Sequence, residues 1–186
     1  MTSTATTTAT PTRTTWTIDP AHSQVEFAVR HLMITKVRGR FTGVKGTLVT
    51  DEADSTTSQV DVVIDVSTID TREPQRDAHL KSPDFFDVEK YPTLTFKSTR
   101  VTGAPGDRLT VVGDLTIHGV TREVALDVTS EGRAKDPWGG ERAGYSATTK
   151  INRRDFGLNW NQALETGGFL VGDEIAISLD LELLRQ

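Results

Sequence analysis

The chain has 186 residues, a formal net charge of -5 and no cysteine. That length suits one domain with a core of its own, and without cysteine there is no disulfide framework, thiolate nucleophile or cysteine zinc site; metal sites built from His and carboxylates remain open. The acidic balance lacks the basic stripe that neutralises phosphates, so nucleic acid is not an expected partner.

The first fifteen residues hold nine threonines, one arginine and no apolar run. They read as a disordered tail, 1–15, ahead of a single domain over 16–186. The start has neither the basic residues nor the apolar stretch of a secretory signal, and no segment approaches the roughly 20 apolar residues of a membrane-spanning helix. A cytoplasmic location is the expectation. From Ser23 onward the pattern is period two. Val25, Phe27 and Val29 alternate with polar neighbours, as do Val60, Val62, Ile64 and Val66, then Leu94 and Phe96, then Val124, Leu126 and Val128, and finally Ile175 through Leu183. Successive side chains of a strand point to opposite faces, so each run is a strand with one buried face. Breaks at Gly, Pro and Asp predict eight strands, at 23–30, 40–49, 58–66, 93–101, 108–117, 121–129, 142–152 and 173–184. Many one-faced strands with little helix imply a curved or closed antiparallel sheet with an apolar interior. His118-Gly119 separates two of the runs and predicts a tight hairpin.

One short helical segment is expected near 73–87. Pro74 suits the first position of a helix, Gln75 to Lys81 follow it, and Ser82-Pro83-Asp84 ends it before a turn carrying Phe85 and Phe86. These rings, with Leu80, are expected to cover one end of the barrel. The irregular stretch from Phe156 to Gly172 contains Trp160, Leu164 and Phe169 and is expected to frame an end as well.

At this point particular words of the sequence become informative. Trp16-Thr17-Ile18-Asp19 with His22-Ser23, then Phe27, Val29 and His31, then Gly39 and Phe41, are followed by Ser67, Ile69 and Thr71. Arg76-Asp77 with His79-Leu80, Asp84-Phe85-Phe86-Asp87, Tyr91-Pro92 with Phe96 and Ser98, the run Gly113 to Thr121, and Arg153-Arg154-Asp155-Phe156-Gly157 complete the series. In that order, from Trp16 to the C-terminus, the chain resembles the YceI-like family. The resemblance implies an all-β fold, a single extended, lipocalin-like barrel of eight antiparallel strands, whose apolar channel holds a polyisoprenoid or similar long-chain amphiphile. It implies a homodimer, and it departs from the many periplasmic members in having no signal peptide. It names a ligand class, including isoprenoid quinones, rather than an activity or a cofactor.

Read from the residues, the inward set is Val25, Phe27, Val29, Val62, Ile64, Leu94, Phe96, Leu115, Ile117, Leu126, Tyr145, Ile151, Ile175 and Ile177. An eight-stranded barrel of this kind is either filled by its side chains or holds one ligand. Alternation alone leaves both open, and the resemblance favours the channel. The candidate ligand-binding residues are Phe27, Val29, His31, Ile64, Phe85, Phe86, Phe96, Ile117, Tyr145, Ile151, Arg153 and Trp160. His31, Ser98 and Arg153 are polar residues sharing parity with the apolar face, so each must meet a headgroup or a partner in the protein. For Arg153 that partner would be Asp155 or Asp77. Arg76, Asp77 and His79 either orient a headgroup or clamp the helix to the rim. His22 is expected to support the start of its strand near Asp19, and Trp16 and Trp138 to serve closure and packing. The chain has no phosphate loop, nucleophile elbow or paired-His motif, so it is read as a binder rather than an enzyme, with no catalytic or metal residues assigned. Two alternatives stand beside this: acid-base chemistry on a bound lipid by His31 with Asp155 or Asp77, and a scaffold with a full core.

Overall fold

The computed structural model describes residues 13–103 and 108–186. Its strands are β1 (Arg13–Ile18), β2 (Gln24–His31), β3 (Thr35–Phe41), β4 (Val44–Asp51), β5 (Gln59–Asp65), β6 (Ile69–Asp70), β7 (Thr93–Thr102), β8 (Arg108–Ile117), β9 (Val120–Lys135), β10 (Glu141–Asn152) and β11 (Val171–Arg185), with one helix, α1 (Pro74–Lys81), before β7. All pairings are antiparallel. A ring runs β1-β4-β5-β7-β8-β9-β10-β11 and closes where Trp16 faces Arg185 and Ile18 faces Leu183. Further along β11, β2 takes the place of β1, with Val25 opposite Leu179 and Val29 opposite Ile175. β3 then pairs with β2, and β6 with β3. The pairs β1/β2, β3/β4 and β5/β6 therefore each fill one position of a closed eight-stranded barrel.

The three breaks lie side by side, and each has a local chemical cause. Between β1 and β2, Pro20 cannot donate to a ladder, and the Asp19 carboxylate accepts the Ala21 N–H at 3.0 Å. The buried Ser23 hydroxyl fills the gap, accepting the Glu182 N–H at 3.0 Å and donating to the Glu182 carbonyl at 3.3 Å. Between β3 and β4, a Cβ at Gly43 would lie 2.7 Å from Thr68 Cγ2, so only glycine lets the neighbouring turn approach. Between β5 and β6 a single 3₁₀ turn, Val66–Thr68, is capped by the Asp65 side chain on Ser67 N–H. Beyond the breaks β2, β3 and the two-residue β6 continue the sheet from β11, and β6 has no ladder to β7, so the ring is open there.

Helix α1 sits beside that gap. Glu73 caps it, Pro74 occupies its first turn, and Ser82 ends it. Phe86, held by its N–H to the Leu80 carbonyl, meets the Phe41 ring edge-on with centroids 6.1 Å apart. Trp16, Val44, Val66 and Phe156 are the largest fully buried side chains.

Two expectations need correction. The strand expected at 40–49 is two strands, because Thr42-Gly43 interrupts the ladder between Phe41 and Val44. Three residues expected in the tail over 1–15 are strand: Arg13, Thr14 and Thr15 belong to β1, where Thr14 is buried and the run pairs with Val49, Thr50 and Asp51 of β4. Threonine suits a strand, and here it supplies the closing one. Residues 1–12 lie outside the described residues.

On the outer side of the closure, Arg142 binds three carboxylates: Asp19 at 2.9 Å, Asp136 at 3.0 Å and Glu182. His22 Nδ1 lies 2.9 Å from Asp19 Oδ2, so its partner is that side chain rather than nearby backbone. The His22 hydrogen bond, reinforced by Arg142, holds the Asp19 carboxyl at about 2, below its ordinary 3.8. Asp19 in turn raises His22 above its ordinary 6.5. A depressed carboxyl stabilises the fold above its ordinary value, and that contribution disappears as the pH falls through the folded value; a raised imidazole contributes below 6.5 and loses its effect as the pH rises through its folded value. Asp19→Asn is expected to lower the thermal midpoint clearly at pH about 5. The gap from the parent should narrow as the pH is taken toward 2, where the parent carboxylate also protonates; paired melting curves across pH check this.

Candidate functional site

The inward side chains do not fill the barrel. They leave a cavity of about 220 Å³ whose wall draws on every position of the ring, with Ile18, Phe41, Leu48, Val62, Leu94, Val111, Leu126, Ala147 and Leu181 among its residues. Two large rings are kept against the wall by glycines on the adjacent strand. A Cβ at Gly39 would lie 2.3 Å from Phe27 Cζ, and one at Gly113 would lie 2.6 Å from Phe96 Cζ. Each ring therefore lies over a position with no side chain, and the centre stays open.

Trp16 is fully buried behind the wall residue Thr50. Its Nε1–H donates to Thr50 Oγ1 at 3.2 Å, and the Arg133 guanidinium lies 5.1 Å from its ring centroid. One end of the cavity is covered by Phe86 and by Phe156 and Leu158, which follow β10. Three polar residues of the wall, Thr50, Thr149 and Arg153, are bonded within the protein. Besides Thr50, the Thr149 hydroxyl donates to the Ala125 carbonyl at 2.8 Å. Arg153, 3 % exposed, has all five of its N–H groups directed at acceptors. Nε binds the Gly172 carbonyl at 2.9 Å, one terminal nitrogen binds the Leu158 and Trp160 carbonyls at 2.6 and 2.9 Å, and the other faces the Val171 carbonyl and Asp173 at 3.4 and 3.3 Å. Burial lowers its pKa, and Asp173 opposes that shift.

Eight of the twelve candidate residues meet at the cavity: Phe27, Ile64, Phe86, Phe96, Ile117, Tyr145, Ile151 and Arg153. Four do not. Val29 and His31 lie farther along β2, between β11 and β3, opposite Ile175 and Val171 on one side and Val37 and Thr35 on the other, and do not line the cavity. Phe85 and Trp160 form an aromatic cluster above the cap, with ring centroids 5.2 Å apart and the His79 imidazole 5.1 and 4.8 Å from them. Among the polar candidates, Ser98 Oγ accepts the Val60 N–H at 2.8 Å. Arg153 pairs with Asp173 rather than with the exposed Asp155 or with Asp77. The Asp77 carboxylate instead accepts the Thr71 N–H at 2.9 Å and the Thr71 hydroxyl at 2.5 Å, while Arg76 donates to Thr71 Oγ1 and its carbonyl, each at 2.8 Å. Those two residues are the clamp between α1 and β6, and His79 bonds Asp84 at 2.9 Å. His118 has a φ of 53° and occupies the hairpin turn with Gly119, under the Tyr91 ring.

The wall also includes residues that sequence reasoning missed. Val60, Leu109, Val111, Leu179 and Leu181 share parity with residues already placed inside and could have been found by extending each run. Phe41 was hidden by the unrecognised break, and Phe156 and Leu158 lie in a stretch without period. Asp19, His22 and Glu182 each place a ligand atom within 4.8 Å of the others, as a metal site would. Both carboxylates already bind Arg142, so the group is balanced as an ion-pair cluster.

Gly113→Ala is expected to cost about 1–3 kcal/mol, the usual range for overpacking, because the added carbon would meet Phe96 Cζ and, at 2.5 Å, the Lys97 carbonyl. Chemical denaturation measures that loss.

The sequence profile of the YceI-like domain matches residues 16–183. A UPF0312 protein of Staphylococcus aureus is 40% identical over 170 residues, covering 91% of this chain and 96% of that one. A UPF0312 protein of Vibrio parahaemolyticus is 41% identical over 138 residues, 74% of this chain and 73% of its own. Among solved structures, the Campylobacter jejuni YceI protein superposes with a TM-score of 0.72 at 30% identity, covering 84% of this chain and 90% of that one. A polyisoprenoid-binding domain from Saccharophagus degradans, implicated in plant cell wall breakdown, shares the fold with a TM-score of 0.66 at 17% identity over 92% of this chain and 98% of its own. A profile spanning the closing strand through the last buried residue of β11, and a relative alike along nine-tenths of the chain, identify the barrel: the chain belongs to the YceI-like family.

Proposed function

We propose that this protein binds a polyisoprenoid or similar long-chain amphiphilic lipid in the barrel cavity and carries or stores it without chemical change. The observation that carries this reading is a lumen left open inside a closed barrel and lined mainly by aliphatic and aromatic side chains. By the measure of core truncations, about 24 cal/mol per Å³, a void of 220 Å³ forgoes about 5 kcal/mol of packing. A hydrocarbon chain restores those contacts, each methylene contributing roughly 0.8 kcal/mol before the costs of binding. The Saccharophagus degradans neighbour, described as polyisoprenoid-binding, has the same fold and supports the ligand class.

The same geometry bears on selectivity. With Arg153 fully bonded and Arg76 and Asp77 holding α1, the affinity rests on chain length and girth rather than on an ion-paired headgroup. An isoprenoid quinone fits this better than a diphosphate, whose charge would need free cations at the cavity end.

Native mass spectrometry of gently purified protein, followed by solvent extraction, tests the proposal and counts subunits, for which a homodimer is expected. A long-chain lipid near one per barrel supports it; a bare mass that stays bare after incubation with polyprenyl lipids and quinones overturns it. Ala147→Phe supplies a second test. Residue 147 points into the cavity, so a larger ring occupies the void without adding a buried polar atom. This variant is expected to unfold no earlier than the parent and to lose most of the bound lipid, read by extraction and melting together.

A further inference from the structure

The three-residue connection Leu32-Met33-Ile34 that joins β2 to β3 breaks the usual chemistry of a hairpin turn. The Ile34 N–H donates to the His31 carbonyl at 3.1 Å, and the two central residues, Leu32 and Met33, have φ of 52° and 64°. Both central positions are left-handed, as in a type I′ turn, for which Asn-Gly is the favoured pair because side chains crowd the backbone there. Leucine and methionine are held in that strained conformation, and they point into water. Met33 is 61% exposed and Ile34 73%. Phe169, 51% exposed, lies on the adjoining loop. That loop is tied to the tip by the Leu32 N–H to the Leu170 carbonyl at 2.9 Å. Leu32, Met33, Ile34 and Phe169 are four of the six exposed large hydrophobics among the described residues, gathered at one end of the molecule.

The charges around this tip are of one dominant sign. Exposed Arg30 and Lys36 face each other across the hairpin, Arg38 follows, and none of these three takes part in an ion pair among the described residues. Arg154 stacks over the Phe169 ring at 6.0 Å. Asp173 is bound by Arg153 and Arg154, which leaves Glu165 as the acidic side chain of the loop. The tip stands at the end of the barrel covered by α1, Phe156 and Leu158, away from the β1–β11 closure at Trp16. An apolar point with a cationic collar has the chemistry of an anionic bilayer surface, where rings and aliphatic chains enter the acyl boundary while Arg and Lys meet phosphates.

We propose that the β2–β3 tip with Phe169 docks the protein on an anionic lipid bilayer, presenting the covered end of the barrel to the membrane. The docking stands on the tip alone; its use in loading or delivering cavity lipid rests on the carrier reading above.

The test is flotation of the full chain with vesicles of phosphatidylcholine containing phosphatidylglycerol, and with vesicles of phosphatidylcholine alone. The parent is expected to float with the first, weakly with the second, and less as salt is raised. The double variant Leu32→Asn/Met33→Gly gives the turn its preferred residues, so its thermal midpoint should be no lower than the parent's. Its vesicle binding should fall roughly tenfold or more, since each apolar side chain withdrawn from a lipid interface contributes on the order of a factor of ten. Trp138→Ser, at the β9–β10 hairpin, should bind as the parent does. A double variant that floats like the parent, or a parent that floats with neither vesicle, overturns the proposal. So does a tip variant that only converts a dimer to a monomer in sedimentation, which would assign the face to a second copy of the chain. Lipid in the extract with no flotation defeats docking alone, whereas flotation with no extractable lipid defeats the carrier reading and leaves docking intact.

Discussion

The pairing of β1 with both β4 and the last residues of β11 is the constraint on which the rest of the structure depends. A sheet that fails to close leaves two edges of unpaired N–H and C=O groups and a flat apolar face, whereas a closed one has an inside. Closure here uses only the last part of each neighbouring strand, Thr47–Asp51 of β4 and Leu183–Arg185 of β11. Because β1, β4 and β5 stop at the breaks, β2, β3 and β6 continue the sheet without closing onto β7, and the ring gives way to a funnel that α1 and the segment after β10 must cover. A closed tube at one end and a covered funnel at the other both follow from where three strands stop.

Closure also sets the energetics of the interior. A domain of this size is stable by about 5–15 kcal/mol in total, so a void worth about 5 kcal/mol of lost packing is a large concession. The barrel sustains it because the ladder hydrogen bonds are complete around the ring and the larger rings have somewhere to lie. Phe27 and Phe96 cover the bare backbone at Gly39 and Gly113, an arrangement in which the aromatic protects the strand and the glycine removes the obstacle to the ring. At about 220 Å³ the cavity is smaller than the roughly 300–1,000 Å³ of most ligand pockets. A long isoprenoid would therefore extend past the ring toward the funnel, and the end that holds it must yield.

Much of this was legible in the sequence, because a wall that is wet on one side and apolar on the other writes period two into every strand. β5, β7, β8, β10 and β11 lie close to where the alternation places them, and most of the lumenal residues follow from parity alone. What was illegible has two physical sources. Parity reports which face a side chain takes, but not how far along the strand the lumen extends; Val29 and His31 keep the right phase beyond the point where the ring has opened. Local pattern is also silent on partners distant in sequence. Thr14 and Trp16 become core only by pairing across to β4 and β11, and the Asp173 partner of Arg153 comes from a strand that begins after the long irregular segment. The break at Gly43 belongs to the same class, since it is required by Thr68 approaching from the 3₁₀ turn between β5 and β6.

The two ends of the barrel differ in what opening them would cost. At the Trp16 end a passage requires parting the ladders of β1 with β4 and β11, together with the Arg142 cluster that straddles them, and these separate cooperatively or not at all. At the other end the cover is held by side chains: Arg153 on the carbonyls of Leu158, Trp160 and Gly172, Arg76 and Asp77 on Thr71, and the stack of His79, Phe85 and Trp160. These contacts can be released one at a time while the ring stays intact, so the cover is the part of the fold that opens at lower cost. Arg153 is central to that difference. Buried, charged and bonded wholly to backbone and Asp173, it ties the irregular segment to the barrel more tightly than apolar contacts would, and its bonds share a direction, from the end of β10 across to the start of β11. The cover is thus fastened by the Arg153 guanidinium on one side and by Arg76 and Asp77 at Thr71, and it rests elsewhere on apolar and aromatic surfaces such as Phe86 against Phe41.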